Sequence, residues 1–194
     1  MPTLYLASRS PRRRELLAQI GVTHRTIPVD LDETRLTGET PVDYVLRLAR
    51  AKAAAGFAAA ADNNALILGA DTTVAIDGDV LGKPETKTAA RTMLVRLSGG
   101  MHEVLSAVAL TDGTRTETAL SVSRVIFRDL TQAEIDAYVA VGEGCDKAGG
   151  YAIQGRGALF VARLEGSYSG VMGLPLCEVG ELLGRFGFVP AENV

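Results

Sequence analysis

The sequence predicts an α/β fold, a mixed, twisted sheet with helices on its faces. Three observations lead there. Apolar strand-like runs alternate with amphipathic helical stretches in the first half of the chain. Two long strand-like runs flank an Asp-Gly turn in the second half, so hairpins mix with βα units. The 194 residues are 47% hydrophobic, which is enough for a sizeable core, and no linker is long enough to separate independent domains.

The elements follow in order. Residues 3–7 (TLYLA) read as a short buried strand. Ser10 stands as an N-cap and Pro11 as the first helical position; Leu16, Leu17 and Ile20 share one face, and Gly21 ends the helix. A second strand is expected near 24–29, then an irregular polar stretch over 30–40. Thr40-Pro41 opens a helix with Val42, Val45, Leu46 and Ala49 on its buried stripe, running into an alanine-rich tail at 51–61. Residues 65–76 (ALILGADTTVAI) read as the central strand, followed by the tight-turn signal Asp77-Gly78. A helix over 86–98 closes at Gly99-Gly100, and strands 103–111 and 115–128 join at Asp112-Gly113. Thr131 and Glu134 form a capping box for a helix to 141. A glycine-rich stretch over 142–157, a strand at 158–164, a polar turn and a helix over 174–186 complete the chain.

Composition narrows the function. The net charge of −3, 5% aromatics and absence of Trp argue against a nucleic-acid coat or a base-stacking platform. Cys145 and Cys177 are too few for a disulfide framework or a four-ligand zinc site. No apolar run approaches the roughly 18 residues of a membrane span, and the first residues lack a signal-peptide pattern. The expectation is a soluble, cytoplasmic protein.

Several segments can carry chemistry. In SRSPRRR (8–14) three arginines sit at the positive end of a helix dipole, where cations are disfavoured. The same end offers free backbone N–H groups, and with Ser8 and Ser10 it forms a phosphate cradle or else a solvated basic face. Helical geometry allows at most two of Arg12, Arg13 and Arg14 to reach one ligand. Asp71, with Thr72 beside it, lies at the polar end of an apolar strand, as a ligand-binding carboxylate or a turn cap. Asp30, Asp32 and Glu33 form an acidic cluster; Glu33 and Asp71 could hold magnesium together with substrate phosphates, the alternative being a solvated loop. Lys52 and Lys83 are phosphate-neutralising groups or ordinary surface lysines. In DKAGGYAIQG (146–155) the glycines permit close backbone approach, and the Gln154 amide suits a base edge.

Exclusions sharpen this. GDVLGKP is one residue short of a phosphate-binding P-loop and has Pro84 where Ser or Thr belongs. EGSYSG has Tyr168 where a nucleophile elbow needs serine. His24 and His102 are the only histidines and enter no metalloprotease or triad pattern; His102 reads as structural. Carboxylates, lysines, arginines and glycines remain, a set suited to metal-assisted attack of water on a phosphoanhydride.

Taken together, LASRSPRRRELL, DETR, LARAKA, GADTTVAIDGDVLGKP, LSGGMHEV, DKAGGYAIQG and EGSYSGVMGLPL resemble the Maf family of nucleoside triphosphate pyrophosphatases, in order over about residues 4–183. SPRR, GADT and DKAGGYAIQG are similar to the branch acting on dTTP and UTP rather than on 7-methyl-GTP. The resemblance implies one domain over 1–194, with two lobes around a central cleft, often as a homodimer. It implies hydrolysis of a nucleoside triphosphate to monophosphate and pyrophosphate with a divalent cation, Mg2+ or Mn2+, in nucleotide-pool house-cleaning.

It also implies that Asp71 is the proton acceptor, that Arg12, Thr72 and Gln154 set substrate choice, and that Glu33, Lys52 and Lys83 are polar groups of the catalytic cleft. On that reading Glu33 helps hold the metal, which Asp71 also touches, Lys52, Lys83 and the Arg12–Arg13 helix end bind the phosphates, and Gln154 with Thr72 reads a pyrimidine. An ordinary Asp has a pKa near 4 and is a weak base at neutral pH; a metal that acidifies water would ease the mismatch. The alternatives are a pyrophosphatase for purines such as inosine triphosphate, or a regulatory protein linked to septum formation.

Overall fold

The computed structural model describes residues 2–62 and 64–188. Seven strands among them form one sheet: β1 (Thr3–Ala7), β2 (Arg25–Thr26), β3 (Ala65–Ile76), β4 (Asp79–Leu81), β5 (Met101–Thr111), β6 (Thr116–Phe127) and β7 (Val161–Glu165). Their order is β2-β1-β3-β5-β6-β7, with β4 also paired to β3. The helices are α1 (Pro11–Gln19), α2 (Pro41–Ala59), α3 (Lys87–Leu97), α4 (Gln132–Val141), α5 (Tyr168–Met172) and α6 (Leu176–Arg185), with short 3-10 turns at Ala148–Gly150 and Arg156–Phe160.

The long central strand shapes the molecule. One edge of β3 pairs with β5 without interruption from Ile67 to Ala75. The other edge is shared: β1 runs parallel to it over Ala65–Gly69, and β4 folds back against Val74–Ile76. Between Gly69 and Val74 that edge has no strand partner, and the sheet parts there. The Asp77-Gly78 turn, both residues at positive φ, is the tight two-residue connection that sends β4 back.

Side-chain alternation assigns the faces. Leu66, Leu68 and Ala70 point to α1 and α6, in a cluster with Leu16, Leu17, Val179 and Leu182. Each fully buried leucine contributes roughly 2 kcal/mol. Further along the same face Val74, Val104, Val125 and Phe127 pack with α3, α4 and Tyr151. These two clusters lie one after the other along one face of a continuous sheet. The opposite face carries α2, capped by the Thr40 hydroxyl, which accepts from Asp43 N–H. Ala49 and Ala53 of α2 lie so close to β3 that a Cβ on Gly69 would be 2.4 Å from the Ala49 carbonyl oxygen. Only glycine fits there.

Some expected elements change. The strand at 24–29 shrinks to Arg25–Thr26, and Pro28, with no N–H to donate, stands just beyond it. The strand at 158–164 begins only at Val161, after a 3-10 turn. The polar turn before the last helix contains α5, capped by Ser167, whose hydroxyl accepts from Gly170 N–H. The last helix starts at Leu176 rather than 174. Ser10 occupies the N-cap of α1 but makes no side-chain capping bond; its N–H donates to the Ser8 hydroxyl instead. The capping box of Thr131 and Glu134 forms as expected.

Candidate active site

A cleft of about 880 Å³ opens where β1 and β4 part along β3. It is lined by the 8–13 segment, the 29–34 loop, Lys52, residues 71–74, the Lys83 loop, 146–154 and 171–173. Every residue expected in the site therefore reaches one cavity: Ser8, Ser10, Arg12, Arg13, Glu33, Lys52, Asp71, Thr72, Lys83 and Gln154. Arg14 is exposed and does not line it, as helical geometry requires.

The centre is a carboxylate–ammonium–carboxylate arrangement. Lys52 Nζ lies 2.6 Å from Asp71 Oδ1 and 2.6 Å from Glu33 Oε1. The backbone dictates the meeting. Asp71 follows Gly69 on the face of β3 that α2 covers, and Lys52 is flanked on α2 by Ala49 and Ala53, which seat the helix on that glycine. The Glu33 loop has no regular structure and is pinned to α2 from outside. Tyr44 Oη donates to the Glu33 carbonyl at 3.0 Å, and Arg47 donates to the Thr34 carbonyl and to both oxygens of Glu39.

The two carboxylates titrate differently. Burial pushes the Asp71 carboxyl above its usual range, although Lys52 and Arg13 oppose the shift. For Glu33, burial also favours the neutral form, but the Lys52 hydrogen bond and the charges of Lys52, Lys83 and Arg13 outweigh it and hold the carboxyl below its usual range. Asp71 is thus the more basic of the pair. Its Oδ2 has no hydrogen-bond donor among the described residues and is open to the cleft.

The arginines divide the work. Arg13 is locked into the fold: Nε donates to the Gly173 carbonyl at 2.7 Å, Nη1 to the Ala70 carbonyl at 2.8 Å, and Nη2 to the Thr72 hydroxyl at 3.3 Å. It supplies fixed positive charge rather than a mobile clamp. Thr72 is held by the same group and by Ser106, whose hydroxyl lies 2.9 Å away. Arg12 instead turns to the glycine-rich segment. Hydrogen bonding assigns the Gln154 amide oxygen toward Arg12, accepting from Nε at 2.8 Å and Nη1 at 3.3 Å. The Gln154 NH2 is then the end left for a ligand. Lys83 makes no hydrogen bond or ion pair among the described residues, so its ammonium is free to meet an anion.

Six cationic side chains line the cleft (Arg9, Arg12, Arg13, Lys52, Lys83 and Lys147), but so do six carboxylates (Asp30, Asp32, Glu33, Asp71, Glu85 and Asp146). No three His, Cys, Asp or Glu side chains among the described residues form a metal cage. Glu33 and Asp71, converging on one cation, do match the one or two carboxylates that magnesium takes beside substrate phosphates. The donor set fits the ion.

Sequence reasoning missed Gly173, whose carbonyl takes both Arg13 Nε and the Thr72 hydroxyl, because a backbone acceptor has no residue-type signature. It missed Tyr44 and Arg47 as well, although their i, i+3 spacing beside an acidic loop is a usable signal.

Fold and site together define an α/β protein whose cleft gathers paired carboxylates, a bridging lysine and arginines around one cavity. Residues 3–186 match the family model described as Maf-like protein, and the chain belongs to the Maf family. Three relatives named dTTP/UTP pyrophosphatase are similar over nearly their whole length. That of Methylococcus capsulatus is 56% identical, covering 97% of this chain and 93% of the relative. That of Pseudoalteromonas atlantica is 55% identical (94% and 96%), and that of Dechloromonas aromatica 50% identical (96% and 98%). The solved structure of the Staphylococcus aureus Ham1 protein shares the fold, with TM-score 0.50, 13% identity, and coverage of 95% of this chain and 97% of that one.

Proposed function

We propose that this protein hydrolyses dTTP and UTP, and modified pyrimidine nucleotides of the same shape, to the monophosphate and pyrophosphate, and so clears the nucleotide pool. The observation that carries this is the convergence of Glu33 and Asp71 on Lys52, one strand residue from Thr72 and across the cleft from the Arg12–Gln154 pair. The names of the relatives support the substrate.

Asp71 Oδ2 takes a proton from water as its oxygen attacks at the α–β anhydride. The anhydride P–O bond breaks, and pyrophosphate leaves with the bonding electrons. Burial makes Asp71 a better base than a free carboxylate, which eases the mismatch with neutral pH. Lys52 holds the two carboxylates in register. Lys83 and the fixed charge of Arg13 stabilise the phosphates. Gln154 NH2, held outward by Arg12, donates to a base carbonyl. Glu33 and Asp71 would hold Mg2+ or Mn2+, which supplies Lewis-acid charge neutralisation.

No helix among the described residues is long and apolar enough to cross a membrane. Free nucleotides as substrate and the two exposed, unpaired cysteines agree with work in the cytoplasm. The test is pyrophosphate release across a nucleoside triphosphate panel with Mg2+ or Mn2+. Strongest turnover of dTTP and UTP is expected. Preference for inosine triphosphate or 7-methyl-GTP refutes the specificity, and no turnover at all refutes the reaction.

A further inference from the structure

Gln154 sits in a turn with little regular structure, yet its backbone is held firmly, and the holding group lies outside the cleft. Glu143, just beyond α4, accepts from Arg156 N–H at 3.0 Å and from Gly157 N–H at 3.2 Å. It also accepts from Tyr138 Oη at 3.0 Å, and that phenol oxygen in turn accepts from Ala152 N–H at 3.0 Å. One carboxylate and one phenol from the end of α4 thus grip the chain on both sides of Gln154. The approach is so close that a Cβ on Gly155 would lie 2.4 Å from Glu143 Oε1. Glu143 does not line the cleft.

We infer that Glu143 is a positioning residue for base selection, acting through the turn that aims the Gln154 amide. The inference rests on the proposed reading of Gln154. A carboxylate accepts from three donors at once because it has acceptor sites only. Glutamine in its place turns one of its two ends into a donor facing backbone N–H groups. The turn then loses its grip while the Asp71–Lys52–Glu33 centre is untouched.

The test compares Glu143→Gln, Gln154→Ala and the double variant, each checked for folding by thermal melting. For Glu143→Gln, KM for dTTP should rise about tenfold with kcat within about twofold, and the preference for dTTP over inosine triphosphate should fall about tenfold. In the Gln154→Ala background the same change should have no further effect on KM or preference. Amide exchange at Arg156 and Gly157 should quicken, with that of α2 unchanged.

If Glu143→Gln does not fold, Tyr138→Phe, which keeps the ring against Phe160 and removes the shared oxygen, carries the same expectations. A loss confined to kcat, or effects that add fully to those of Gln154→Ala, overturn the inference. If Gln154→Ala relaxes the preference and Glu143→Gln does not, the inference alone fails. If Gln154→Ala leaves the preference intact, the reading of Gln154 fails, and this inference with it.

Discussion

Replacing Gly69 by alanine tests whether the seat of α2 on the sheet sets the catalytic geometry. The new Cβ would lie 2.4 Å from the Ala49 carbonyl oxygen and 2.5 Å from the Ala53 nitrogen, where ordinary contact begins at 3.4 Å. Both atoms belong to a helix backbone, so no side chain can rotate aside. The helix must retreat by about 1 Å, and overpacking of this kind costs about 1–3 kcal/mol. Lys52 travels with it. At 2.6 Å from each carboxylate, Nζ has little room before it leaves hydrogen-bond range of Asp71.

A displacement of about 1 Å at such a centre costs on the order of 100-fold in rate. The assay is steady-state pyrophosphate release from dTTP alongside a thermal melt. We expect kcat to fall about 100-fold and the melting temperature by several degrees. Gly180→Ala on α6, where an added Cβ meets nothing within 4 Å, is the control and should leave kcat unchanged. Wild-type kcat in a destabilised Gly69→Ala protein would refute the link between helix seat and chemistry.

Four further outcomes follow from the same structure. Asp71→Asn should lower kcat by about 10²- to 10⁴-fold. Because the folded-state pKa of Asp71 is raised, its charge opposes folding above the unfolded pKa, so this variant should melt at the same or a higher temperature at pH 7, an advantage that fades as pH falls toward 4. His102 is buried, with its pKa lowered to about 4 and Nδ1 unpartnered. Its contribution should be complete above pH 6.5 and be lost as pH falls toward 4, about 2 kcal/mol by pH 5; urea unfolding at pH 7.5 and 5 measures this, and a slope surviving in His102→Gln would contradict it. Lys83→Ala should raise KM with no change in melting temperature, because Lys83 makes no bond within the fold; a lower melting temperature would assign it a structural role. Chelation should abolish turnover, restorable by Mg2+, without altering the melt, since Lys52 already bridges the carboxylates; a large loss of stability would mean a structural metal.

Much of this was legible in the residues, for physical reasons. The run ALILGADTTVAI is long, apolar and β-branched, so β3 was plain, and with it the odd position of Asp71. Thr131 and Glu134 announced α4 because a capping box is local chemistry. β4 escaped because three residues cannot show alternation. α5 escaped because five residues containing Ser and Gly carry little helical preference. In the site, charged side chains with no structural excuse declared themselves. Arg13 was legible as a cleft residue but not as a group spent on carbonyls 57 and 160 residues away. Glu143 was invisible because it works on backbone N–H groups, which every residue but proline has.

The fixed Arg13 has a consequence for the open edge of β3. A strand edge left without a neighbour is a template on which another chain can add a strand. The stretch of β3 between Gly69 and Val74 is such an edge, and residues 71–74 line the cleft. Arg13 occupies its Ala70 carbonyl and sets a positive charge beside it. A strand added to that edge would have to displace the guanidinium from the Ala70 carbonyl.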